Sequence, residues 1–189
     1  GHNRDALPGG PIVVVLAEAS DPRATAAMHA AIPLAALAAH AGFRHAPAQL
    51  IQRVSDTLWQ TNTGGQLVSL IYAHLDPETG EGVVASAGTI SALISSRYGY
   101  RPLVSNHSEP LNTSMDSNAA NHDFNLLQGE TLLAYSKGFS AAGADQMTLG
   151  GHIRTAMQLE DRSPLAMLRR KLTKLPLTRE RGALTLLRI

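Results

Sequence analysis

The order of strand-type and helix-type segments predicts an α+β fold with a largely antiparallel sheet. Two observations carry that prediction. Residues 66–96, QLVSLIYAHLDPETGEGVVASAGTISALISS, hold three strand-type runs joined by turn residues. Helical patterns stand before and after the block of strands instead of alternating with it.

Within that stretch Leu67, Ser69, Ile71, Ala73 and Leu75 share one side of a strand, and Val68, Leu70, Tyr72 and His74 share the other. Both sides are mostly apolar, so this strand is expected to be covered on both faces. Residues 76–80 make a turn: Pro77 presets φ, and Gly80 can take the positive φ that ends such a loop. Residues 82–87 are expected to run back as an antiparallel partner. Gly88 permits a sharp change of direction, and residues 90–94 are expected as the third strand of a β-meander.

The remaining elements come in chain order. Leu7-Pro8-Gly9-Gly10-Pro11 is a turn feeding a strand at 12–17. Ser20 or Asp21 can cap the next helix, with Pro22 in its first turn. Residues 23–40 are Ala-rich and apolar on nearly every face; Pro33 is expected to kink or split this helix, and Gly42 ends it. Pro47 starts a second helix, where Leu50, Ile51, Val54, Leu58 and Trp59 recur at helical spacing. Residues 97–121 are polar and turn-rich, with one strand at 101–104. Strands are expected at 123–127 and 131–136, helices at 153–159 and 164–172, and a closing strand at 183–189. Gly64-Gly65 and Gly150-Gly151 are expected as turns.

Composition bounds the function. The 189 residues are 44% hydrophobic, enough for one domain over 1–189 with a sizeable core. Aromatic residues make up only 4%, so Ala, Leu, Val and Ile must fill it. A formal net charge of +1 argues against a dedicated nucleic-acid binder. The absence of cysteine excludes disulfides and thiolate metal sites and fits a cytoplasmic protein. No apolar run approaches the ~20 residues of a membrane helix, so no membrane insertion is expected. Asn3, Arg4 and Asp5 lead into Pro-Gly-Gly, unlike a signal peptide. The chain opens so close to its first strand that it reads as part of a longer protein.

Three stretches carry a resemblance: LVSLIYAHLDPETGEGVVASAGT at 67–89, LLQGETLLAYSKGFSAA at 126–142 and ERGALTLLRI at 180–189. Pro47-Ala48-Gln49-Leu50 adds a fourth, at a second-helix start. In this order and spacing they resemble the SpoIIE-like branch of the PP2C (PPM) serine/threonine phosphatases, from about residue 5 to 189 and lacking that family's first strand. The resemblance implies a PP2C-like αββα sandwich, two antiparallel sheets face to face with helices outside and a two-metal site at one edge. In that family Asp side chains and a backbone carbonyl hold Mn²⁺ or Mg²⁺. The ions generate the attacking hydroxide and clamp the phosphoryl oxygens.

At the matching positions this sequence departs from the pattern. The family's Gly-Asp-x-x-Gly-x-Gly is Ala17-Glu18-Ala19-Ser20-Asp21-Pro22-Arg23 here: the carboxylate is lengthened and the three glycines are gone. Thr-Asp-Gly is Ser136-Lys137-Gly138, and Asp-Asp-x-Thr is Glu180-Arg181-Gly182-Ala183. Ala-Gly-His is Ala87-Gly88-Thr89. Lys137 and Arg181 cannot ligate a metal while charged and would repel one. Glu18, Lys137 and Arg181 are thus the degenerate catalytic positions, and Glu18 and Glu180 are the remaining metal-ligand candidates. Charge complementarity suggests that Glu18 pairs with Lys137, a built-in cation standing where the metal stood. Arg23, Lys137 and Arg181 together could hold a phosphate without hydrolysing it.

Other residues carry less. Apart from His2, the histidines, at 29, 40, 45, 74, 107, 122 and 152, show no H-x-x-x-H spacing and are expected at the surface or half-buried. Ser20 and Ser136 lack a His and Asp arrangement for nucleophilic work. Arg169, Arg170, Lys171 and Lys174 make the tail basic, as a solvated helix face does.

The reading is a degenerate phosphatase domain without turnover and without a cofactor, serving as a binding or regulatory module in bacterial signalling. The partner the resemblance implies is a phosphorylated STAS-type antagonist or another signalling protein. One alternative is an active phosphoserine/phosphothreonine phosphatase with an atypical Mn²⁺ or Mg²⁺ site. Another is a structural domain that forms a homodimer through the meander or the Ala-rich helices.

Overall fold

The computed structural model describes residues 10–20, 35, 45–61, 65–105, 107–137, 146–158 and 184–188. Apart from Ala35, which is helical, the helices expected at 23–40 and 164–172 lie outside the described residues. The described elements run β1 (Ile12–Ala19), α1 (Pro47–Gln60), β2 (Val68–Leu75), β3 (Glu81–Ala87), β4 (Ser91–Ser95), β5 (Tyr100–Val104), β6 (His122–Asn125), β7 (Thr131–Tyr135), α2 (Gln146–Gln158) and β8 (Leu184–Arg188). They build two four-stranded antiparallel sheets, β1-β2-β3-β6 and β5-β4-β7-β8.

Strand alternation divides the apolar residues between layers. Val14 and Leu16 of β1, Ile71, Ala73 and Leu75 of β2, and Val84 of β3 face Ala92 and Ile94 of β4 and Leu132 and Ala134 of β7. These side chains form the core between the sheets. Val68, Leu70, Tyr72, Ala85 and Ala87 point the other way, onto Leu50, Ile51, Val54 and Leu58 of α1. β2 is therefore covered on both faces, as its two apolar sides predict. α2 lies on β4 and β5 of the second sheet, with Leu149 and Ile153 buried. The layer order is αββα.

α1 starts where Pro47 suits a first turn. The Gln49 side chain accepts a hydrogen bond from the Ala46 N–H at 3.3 Å, and Asn121 Oδ1 accepts one from the Ala48 N–H at 2.8 Å. Gln52 and Ser55 donate to the Met115 carbonyl, and the Ser117 N–H donates to Gln52 Oε1 at 2.7 Å. The polar stretch before β6 is thereby ordered by the helix.

Two expectations are corrected. β4 does not extend a meander beside β3; it belongs to the facing sheet. Gly88, at φ +87°, turns the chain from one sheet to the other, and its missing Cβ leaves the space that Ser69 Oγ fills. Gly150-Gly151 is not a turn but lies inside α2, which starts at Gln146, well before residue 153. A Cβ on Gly150 would come within 2.5 Å of the Tyr100 ring, so the glycine serves close helix–sheet packing rather than chain reversal.

Candidate functional site

The strand registers bring Glu18 and Lys137, the described residues of the predicted set, to one end of the sandwich. Glu18 pairs in register with Ser69 across β1 and β2. Ser69 Oγ accepts the Thr89 N–H at 3.1 Å and shares a hydrogen bond with Thr89 Oγ1 at 3.3 Å, tying β2 to the segment that crosses between the sheets. Ser91 then pairs with Tyr135 across β4 and β7, so Ser136 and Lys137 leave β7 at this same end.

Orientation is set by alternation. Glu18 is two and four residues past Leu16 and Val14, which face the inter-sheet core, so its side chain takes that face at the core's edge. It is half-buried and has an interaction partner. Ser136 continues the inward set of Leu132 and Ala134 and is fully buried. Lys137 is exposed at the mouth. The Glu18–Lys137 ion pair suggested by charge complementarity is not formed among the described residues; their ion pair is Arg101 with Glu130, elsewhere. Arg23, Glu180 and Arg181 lie outside the described residues.

The mouth also holds residues that motif reasoning missed. The Gly88 N–H donates to Ser108 Oγ at 3.2 Å, and the Ser108 N–H donates back to the Gly88 carbonyl at 3.2 Å. Ser91 Oγ bonds His107 Nε2 at 3.0 Å. The only early signal was Ser69, a hydroxyl on the inward side of an otherwise apolar strand. Chemically, the described groups here are one carboxylate, the mutually bonded hydroxyls of Ser69 and Thr89, the hydroxyls of Ser91 and Ser108, the His107 imidazole and one ammonium. Among the described residues, no three His, Asp or Glu side chains gather where they could share a metal ion.

Two features at the far end of the sandwich are separate from this mouth. A cavity of ≈ 710 Å³ there is lined by His74, Asp76, Glu81, Asp123 and Asn125. Nearby, Arg101 of one sheet forms a two-pronged ion pair with Glu130 and also donates to the Asn125 carbonyl of the other. Burial pushes the Glu130 carboxyl up. The Arg101 hydrogen bonds, the Leu127 N–H and the guanidinium charge outweigh burial, and the group is held below the ordinary glutamate range.

Comparison with known proteins agrees with this architecture. The family model described as Stage II sporulation protein E (SpoIIE) matches residues 8–182. No curated protein sequence matches significantly. The structure of the RsbU and RsbW domains of Rv1364c from Mycobacterium tuberculosis is similar, with TM-score 0.73 and 17% identity over 93% of this chain and 51% of that one. RsbX in complex with magnesium matches with TM-score 0.70 and 13% identity over 93% of this chain and 79% of that one. The SiaA-PP2C domain of Pseudomonas aeruginosa gives TM-score 0.74 and 13% identity over 94% and 74%. The chain spans about half the length of the first of these. At such identities the likeness establishes the fold, the PP2C-like sandwich expected from the sequence.

Proposed function

The chain belongs to the SpoIIE family, and on that premise we propose that it is a PP2C-type phosphatase domain of bacterial signalling that binds without turnover. It serves as a regulatory module over residues 1–189 of a longer, cytoplasmic protein. The observation supporting this is the donor set at the Glu18 end. A two-ion Mn²⁺ or Mg²⁺ centre needs several oxygen ligands with strong negative charge. Glu18 is one carboxylate, Ser69 and Thr89 are neutral and bonded to each other, and Lys137 adds a positive charge. These residues do not fit such a centre. In sequence, Arg181 repeats the substitution of a cation for a ligand, with Glu180 the other candidate carboxylate.

A site with this charge suits a phosphate that stays intact. Lys137, with Arg23 and Arg181, supplies the cations that pair with a phosphoserine or phosphothreonine. The resemblance favours a phosphorylated STAS-type antagonist as its bearer. Binding of a phosphoserine peptide, read by fluorescence anisotropy alongside phosphate release, tests this. The expected result is binding without release, weakened several-fold or more by Lys137→Ala. Phosphate release that depends on Mn²⁺ would overturn it.

That outcome would establish the second reading, an active Mn²⁺- or Mg²⁺-dependent serine/threonine phosphatase. Its support is Glu18, which keeps a carboxylate on the inter-sheet face.

A further inference from the structure

The tight hairpin between β4 and β5 carries Arg97, Tyr98 and Tyr100 at the end of the sandwich opposite Glu18. α2 lies along it. Gly150 seats the Tyr100 ring, and Gln158 Nε2 donates to the Arg97 carbonyl at 3.1 Å. Gly150, Arg154 and Gln158 recur at four-residue spacing, so Arg154 stands between those two contacts on the same helix stripe. Met147, one turn before Gly150, extends the stripe.

These side chains are more open than the fold requires. Tyr98 is 84% exposed, Met147 68% and Tyr100 41%. The Arg97 guanidinium lies over the Tyr98 ring, 5.2 Å from its centroid. Arg97 and Arg154 are exposed, and among the described residues neither has a carboxylate partner. Arg101 beside them is committed to Glu130. Tyrosine, arginine and methionine gathered on a surface have the composition of an interface core, where aromatic and arginine anchors carry most of the binding energy. Both charged groups in the patch are positive.

We propose that this corner, Arg97, Tyr98, Tyr100, Met147 and Arg154, is a docking surface for an acidic protein segment with an apolar anchor. The anchor packs on Tyr98, a further apolar side chain of the segment meets Met147 at the other end of the helix stripe, and carboxylates meet the two guanidinium groups, for which arginine offers planar paired donors. Because the patch is at the far end from Glu18, a partner held here leaves the Glu18 mouth open.

The test is amide-shift mapping by NMR on the whole chain. The probes are a short Glu-rich peptide containing leucine, its Gln-for-Glu counterpart, and vesicles of phosphatidylglycerol and phosphatidylcholine. The acidic peptide is expected to shift residues 97–100 and 147–158, and the Gln peptide is not. Arg97→Glu with Arg154→Glu, or Tyr98→Ala alone, is expected to weaken binding about tenfold or more. Thermal melts should be unchanged, since these side chains are exposed. The proposal is overturned if the acidic peptide leaves the patch unshifted, if the Gln peptide binds as well, or if the variants bind normally. Vesicle-induced shifts in the patch would also overturn it and assign the surface to a lipid headgroup layer.

Discussion

Gly88 and Glu130 act through different physics. At Gly88 a side chain would face a left-handed backbone and collide with Ser69. Gly88→Ala is expected to cost about 1–3 kcal/mol, lowering Tm by about 2–4 °C per kcal/mol, measurable by calorimetric melting. Glu130 is a pH effect. Its carboxyl is held below the ordinary range in the fold, so the unfolded chain binds the proton more readily. The stabilisation is present above the unfolded-state pKa and is lost as pH falls through the folded one. Glu130→Gln is expected to lower Tm at neutral pH and to flatten the acid side of the Tm–pH curve. An unchanged acid slope would contradict a stabilising Arg101–Glu130 ion pair. Lys137 bears on the site itself: Lys137→Asp replaces the repelling ammonium by a ligand, and should raise Mn²⁺ affinity by about tenfold or more in calorimetric titration.

At the scale of elements, α1 holds a sheet face on one side and a loop on the other. Leu58 is fully buried among Val54, Leu70 and the rest of that layer. Leu58→Ala is expected to cost about 2–5 kcal/mol in denaturant unfolding, while Trp59, half exposed beside it, tolerates replacement. The helix was legible because Leu50, Ile51, Val54 and Leu58 repeat at its period. The loop it orders was not, since Gln52 reaches Met115 and Ser117 across more than sixty residues and polar side chains give no periodic signal. Gly150-Gly151 misled for a related reason. A glycine pair reads locally as a turn, whereas here the tertiary contact with Tyr100 selects it within a helix.

For the whole molecule, the two-sided apolar pattern of β2 predicts its place inside the stack, and the turn at 76–80 predicts the β2–β3 hairpin. The crossing at Gly88 was not readable as a change of sheet, because a sharp bend is compatible with either a third neighbouring strand or a facing one. Site legibility divides the same way. Glu18 and Lys137 are candidates named from motif positions, and the registers bring them to one end. The Ser69–Thr89 link emerged only from the fold, because its partners are twenty residues apart, one on β2 and the other in the crossing between the sheets. The sandwich thus presents, at its Glu18 end, one described carboxylate and a cation. The most direct measurement is titration calorimetry of Mn²⁺ into the chain with phosphate release followed in parallel. The account predicts no heat of specific binding and no release from a phosphoserine peptide. Micromolar Mn²⁺ binding accompanied by turnover would contradict it and make this an active phosphatase.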